Sequence, residues 1–261
     1  MDFPKIEHIA LVGAKGQMGG LLRDRLTGSG IEVTSLDRPF PEEDLSALLA
    51  PVRMVLLAVP VSALDHVLNL VVPRISEEVI MADICSVKTV PLKKMQDIYP
   101  GPVLGTHPLF GPRPGADDDL KIALCPGRNL QEGDILAVRD LFGRAGMSTF
   151  LTTPAEHDQA MACIQSLNFV TTISYFASLP RDINLDMFST PSFRRRARAA
   201  QKMLNEDAFL FSSLAEDNPY TGKMIRRFKS FLNLSAAGDF ELLTDKALWW
   251  WRNFNEGQGG Q

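Results

Sequence analysis

The chain has 261 residues and a mass of 28.8 kDa, enough for one large core or two modest ones. Hydrophobic residues make up 45% and charged residues 22%, with a net charge of -4, so nothing points to the basic surface that a nucleic-acid partner requires. No apolar run is long enough for a membrane span, no signal peptide precedes the first strand, and Cys85, Cys125 and Cys163 are too scattered for a disulfide framework or a metal site; a cytoplasmic protein is expected.

Residues 6–12 read as a buried strand and open an alternation of short apolar runs with helical patterns. Further strands are expected at 32–36, 54–59, 79–83, 103–106, 122–125 and 148–151, with helices at 17–27, 62–72, 90–98 and 132–143. This is the pattern of an α/β Rossmann-type domain, a doubly wound parallel sheet over residues 1–152. From Thr153-Pro154 onward the periodicity is helical only, with helices expected at 154–179, 191–215, 219–236 and 239–254. An all-α second domain is therefore expected over 153–256, followed by a disordered tail at 257–261.

The first strand runs into Gly13-Ala14-Lys15-Gly16-Gln17-Met18-Gly19, which opens a helix. In that context Gly13 permits the tight turn, Gly16 lets the backbone approach a pyrophosphate and Gly19 allows close helix packing, while the helix N-terminus at Gln17 and Met18 faces the phosphates. The spacing is one residue longer than the commonest dinucleotide form. Asp37 ends the second strand, where a carboxylate binds ribose hydroxyls and favours NAD; Arg38 beside it is the opposing signal, for NADP. Val59-Pro60 is placed to line the nicotinamide side, or is a structural turn.

Asp83-Ile84-Cys85-Ser86-Val87-Lys88 closes another apolar strand. Ser86 is placed either to bond a substrate hydroxyl and an imidazole or to cap the helix that follows. His107 comes just after the 103–106 strand, at the carboxyl edge where open α/β sheets bind ligands. An imidazole there can take a hydroxyl proton while a nicotinamide cofactor takes a hydride, the chemistry of a dehydrogenase.

Four segments, Gly13 to Gly19, Cys85-Ser86-Val87-Lys88, Gly105-Thr106-His107-Pro108-Leu109-Phe110-Gly111-Pro112 and Glu156-His157-Asp158-Gln159, together resemble the prephenate dehydrogenase family of tyrosine biosynthesis. The resemblance implies NAD-dependent oxidative decarboxylation of prephenate to 4-hydroxyphenylpyruvate, with His107 as partner of the ring hydroxyl and Ser86 assisting. It implies a substrate-side contact for His157, a homodimer through the helical domain and, with the nucleotide domain at the N-terminus, no fused chorismate mutase. Two carboxylates need cations, and Arg194, Arg198 and Lys202, spaced i, i+4, i+8, share one helix face. The family's clamping arginine falls at Lys202, and Phe169 stands where relatives often carry a histidine. Those departures keep open arogenate, an aminated prephenate, or a non-catalytic NAD-binding role.

Overall fold

Strands β3 (Met54–Leu57), β4 (Ile80–Asp83) and β5 (Val103–Pro108) are buried at every position, as unbroken apolar runs require when both faces of a sheet are covered. The computed structural model describes residues 3–41, 43–205 and 214–256, the side chains of 202, 255 and 256 excepted. The chain divides into two compact units, Met1–Met161 and Ala162–Gln261.

In the first unit β1 (His8–Val12), β2 (Glu32–Leu36), β6 (Lys121–Pro126) and β7 (Ser148–Leu151) complete a seven-stranded sheet, ordered β2-β1-β3-β4-β5-β6-β7. Side chains alternate between two cores. Ile9, Leu11, Met54 and Leu56 face Leu22 and Leu26 of α1 (Gln17–Gly28) and Val138, Leu141 and Phe142 of α5 (Glu132–Arg144). Ala10, Val12, Val55 and Leu57 face α2 (Leu45–Leu49), α3 (Leu64–Val71) and α4 (Thr89–Ile98). The strand order reverses at β1, so a crevice opens between the carboxyl ends of β1 and β3.

The sheet is not wholly parallel: β6 runs antiparallel to β5. Residues 109–120 join the two without a helix, because Gly111, Pro112, Pro114 and Gly115 interrupt any helical run. A second difference concerns His107, expected just beyond the strand and found within β5, opposite Ala123 of β6. Pairing with β4 stops at Asp83–Gly105, so Thr106, His107 and Pro108 run past the end of β4 and are held by β6 alone. His107 therefore still lies at the carboxyl edge.

The helix expected over 154–179 is found as α6 (Pro154–Met161), a π-helical segment (Ala162–Leu167) and α7 (Asn168–Ala177). The division into units falls after α6, later than the expected 152, because α6 is tied to the sheet domain by its own hydrogen bonds, described below. The second unit continues with α8 (Pro191–Asn205), α9 (Thr221–Ala236) and α10 (Phe240–Glu256), and no strand occurs among its described residues. The helix expected to run from 191 to 215 is seen as far as Asn205, and residues 206–213 and the expected tail at 257–261 lie outside the described residues. Trp249, Trp250 and Trp251 are 67%, 55% and 57% exposed, so they are not core residues of the single chain. No helix of the described residues is long and apolar enough to cross a membrane.

Candidate active site

The glycine turn is packed to the limit that a missing Cβ allows. Gly13 has φ +91°, and a Cβ there would stand 2.4 Å from the Ala58 carbonyl oxygen; one on Gly19 would stand 2.1 Å from the Gly13 carbonyl oxygen. Both are impossible contacts, so Gly13 and Gly19 fix how closely β1, α1 and the end of β3 approach. Gly16 is less crowded, with only the Gly13 carbonyl 3.2 Å from its Cβ position. It is the N-cap of α1 and offers no side-chain cap, which leaves the first backbone N–H groups of the helix, from Gln17 to Gly19, without intrahelical acceptors. Asp37 Oδ1 accepts the Lys15 N–H at 2.9 Å, which holds the carboxylate against the turn. Val59 lies against Gly13, and Pro60 follows it at the exposed end of β3. An uncapped helix N-terminus with a carboxylate at the ribose position fits a dinucleotide.

His107 is 3% exposed, and its orientation is set by residues 50 positions away. Its Nδ1 lies 2.9 Å from His157 Nε2, and His157 Nδ1 lies 2.9 Å from Asp158 Oδ1. Asp158, fully buried, also accepts the Lys88 N–H at 2.7 Å and the Thr89 N–H at 2.8 Å, and so caps α4. Burial raises the pKa of this carboxyl, but hydrogen bonds from His157, Thr89 and Lys88 outweigh it and hold the pKa below the usual value.

The proton positions follow from one acceptor-only group. Ionised Asp158 accepts a hydrogen bond from the Nδ1–H of His157, a neutral His157 then presents a lone pair at Nε2, and the Nδ1–H of His107 donates a hydrogen bond to it. The lone pair of His107 is thereby left on Nε2, which has no partner among the described residues. Burial first, and then the charge of Lys88 and the electrostatic effect of His157, keep the imidazole pKa well below 6.5. His107 is thus a neutral imidazole near pH 7, held in a single tautomer. Cys125, on the neighbouring strand, is no competitor: burial pushes its thiol up to about 12.

Several expectations change. His157 is 4% exposed with both ring nitrogens engaged, so it orients His107 and has none left to hold a substrate carboxylate. Ser86 makes no hydrogen bond to His107 among the described residues and does not cap α4; His157 and Asp158 take those places. Ser86 is partly exposed, two residues before Lys88. In the second unit Arg194 and Arg198 are exposed on α8, with Arg198 Nε reaching the Arg194 carbonyl at 3.4 Å. Lys202 is on the same helix, its side chain outside the described residues, and Phe169 is buried. The sequence signal for Asp158 is an aspartate adjacent to a motif histidine.

A doubly wound sheet with a glycine turn at its switch point and an oriented imidazole at its carboxyl edge defines a dinucleotide-binding domain of the dehydrogenase class. Residues 39–151 match the family model of the prephenate dehydrogenase nucleotide-binding domain. The T-protein of Enterobacter agglomerans is 30% identical over 230 residues, which cover 86% of this chain and 60% of that one. Two solved structures share the fold: Synechocystis arogenate dehydrogenase (TM-score 0.73, 22% identity, 89% of this chain and 93% of that) and Aquifex aeolicus prephenate dehydrogenase in complex with hydroxyphenyl propionate and NAD+ (TM-score 0.75, 18% identity, 93% and 95%). Residues 39–151 are thus similar to the nucleotide-binding domain of prephenate dehydrogenases, and most of the chain is similar to the T-proteins. The chain spans 60% of the length of the curated T-proteins that it matches.

Proposed function

We propose that this chain catalyses NAD-dependent oxidative decarboxylation of prephenate in tyrosine biosynthesis, with His107 as the base. The observation that carries the reading is the Asp158–His157–His107 series, which presents one unshared lone pair at the carboxyl edge of a dinucleotide-binding sheet. The glycine turn from Gly13 to Gly19 would hold the pyrophosphate, Asp37 the adenosine ribose, and Val59 and Pro60 one side of the nicotinamide. When bound, NAD supplies the hydride acceptor.

His107 Nε2 takes the proton of the ring hydroxyl as the carbinol carbon is oxidised. The electron pair of the ring–carboxylate bond flows into the ring as carbon dioxide leaves. The proton held on Nε2 then returns to the ring oxygen, which aromatisation leaves as a phenolate, to give the phenol, so the base ends as it began. Arg194, Arg198 and Lys202 are proposed to hold substrate carboxylates, and Ser86 to contact the reacting hydroxyl. The test is NADH formation at 340 nm with prephenate and, separately, with arogenate. Turnover of prephenate supports the reading, and turnover of arogenate alone assigns the same chemistry to the aminated substrate.

Cofactor choice is tested at Asp37. A carboxylate there repels a 2′-phosphate, so Asp37→Ser is expected to weaken NAD binding and strengthen NADP binding, each read by calorimetric titration. An unchanged NAD/NADP preference would remove Asp37 from the ribose site.

We also propose a homodimer through the helical unit, supported by the exposed tryptophans of α10 together with Phe254, which stacks on Trp250 at 5.0 Å. Sedimentation is expected to give the dimer mass for the native chain and the monomer mass for Trp250→Glu. A monomeric native chain would end this proposal.

A further inference from the structure

A lysine in a packed interior needs both a countercharge and hydrogen bonds. Lys88 is fully buried, and its side chain passes Gly105 so closely that a Cβ there would stand 3.0 Å from Lys88 Cδ. Its ammonium lies 2.5 Å from Asp83 Oδ2, at the end of β4, and 2.5 Å from the Thr106 carbonyl oxygen, on β5. That carbonyl belongs to the part of β5 that has run past β4. The Met81 N–H bonds the Pro102 carbonyl, and the same spacing continued would bring the Cys85 N–H to Thr106. The Cys85 N–H turns instead to Asp83 Oδ2 at 2.8 Å, and the ammonium of Lys88 takes its place.

Stability alone does not account for this arrangement. Asp83 Oδ1 is buried with no hydrogen-bond partner among the described residues, and a buried ion pair with an unsatisfied oxygen is at best neutral against apolar packing. The pair stands directly beneath the residue that precedes the base.

We propose that Lys88 is a positioning residue for His107: locked to Asp83 and to the Thr106 carbonyl, it fixes the strand end that carries the imidazole and sets a positive charge beside the ring. This rests on the reading of His107 as the base. Protonating His107 would place a second cation next to the first, so the lysine adds to burial in keeping the imidazole neutral. Besides Lys88, the group that acts on the ring is His157 from α6, and Asp83 from β4 and Glu156 and Asp158 from α6 act on Cys125 of the neighbouring strand β6. Asp83 is paired with Lys88, Cys125 is a neutral thiol, Glu156 accepts from Thr152, and Asp158 reaches His107 through His157.

The test is the NMR titration of the His107 ring between about pH 4 and 8, a readout that needs no substrate. In Lys88→Gln, which keeps a donor for the Thr106 carbonyl, the midpoint should rise by about one pH unit, and the acid limb of kcat/KM should move with it. Lys88→Gln leaves Asp83 uncompensated, so Lys88→Met/Asp83→Asn serves as the companion: it removes both buried charges together and should show a smaller upward shift, with no lone carboxylate to add to it. A folded variant whose midpoint stays at the native position, with kcat lowered at every pH alike, would overturn the proposal and leave Lys88 a packing residue. A shifted midpoint in a protein that reduces no NAD with any cyclohexadienyl substrate would uphold Lys88 and defeat the proposed reaction.

Discussion

Replacing His107 with asparagine should lower turnover by about 10²–10⁴-fold while leaving NAD affinity unchanged. The asparagine amide can occupy the place of Nδ1 and still donate to His157 Nε2, so the buried hydrogen bond survives. What disappears is Nε2, the atom with the free lone pair. Because His107 sits on β5, away from the turn at Gly13 to Gly19, the dinucleotide site has no reason to change. Steady-state NADH formation and calorimetric NAD binding together check this; equal losses in both would remove His107 from its role.

The same residue sets the pH dependence. Its pKa is held well below 6.5, so the base stays unprotonated well into the acid range and the acid limb of kcat/KM should lie below pH 6.5. Stability follows in the same direction. Below about pH 6.5 the unfolded chain takes up a proton that the folded chain refuses, so the folded state loses ground as the pH falls from there toward the native pKa.

The strands that position the site were legible because their signal is local. Met54 to Leu57 and Ile80 to Asp83 are short unbroken apolar runs between turn residues, and parallel strands covered on both faces must read that way. The direction of β6 was not legible, since it depends on whether residues 109–120 form a crossover helix, and apolar periodicity in the strand carries no information on that. The glycine turn and His107 could be found from spacing and strand context. The partner of His107 could not, because the contact with His157 is made by tertiary packing across 50 residues, and the motif presented His157 only as a histidine near a helix start. Lys88 was hidden for the opposite reason. A lysine before a helix reads as solvated, and its burial depends on Asp83 and on the room left at Gly105, neither of which adjoins it in sequence.

Asp158 should matter to both activity and stability, and two substitutions separate its charge from its geometry. In Asp158→Ala the His157 Nδ1 proton loses its acceptor, His157 is free to turn or to change tautomer, and the lone pair on His107 Nε2 is no longer enforced. Turnover should fall by about 10²-fold or more with NAD affinity retained. The first N–H groups of α4, at Lys88 and Thr89, lose their cap as well, which with the stranded imidazole N–H should cost about 2–4 kcal/mol. Asp158→Asn is milder by construction. One amide oxygen can accept from both the Lys88 N–H and His157 Nδ1, as Asp158 Oδ1 does, so the tautomer persists; what is lost is the acceptor for the Thr89 N–H, which now faces the amide NH2, and the negative charge that steadies a protonated His107. The alanine variant should therefore be the slower of the two; equal activities would mean that the charge, and not the orientation, is what Asp158 supplies. The carboxyl pKa is depressed in the fold, so its stabilisation is complete above the unfolded value of about 3.9 and is lost as the pH falls through the native value. Thermal melts of the native chain and of Asp158→Ala should accordingly differ most near neutrality and converge in acid below about pH 4.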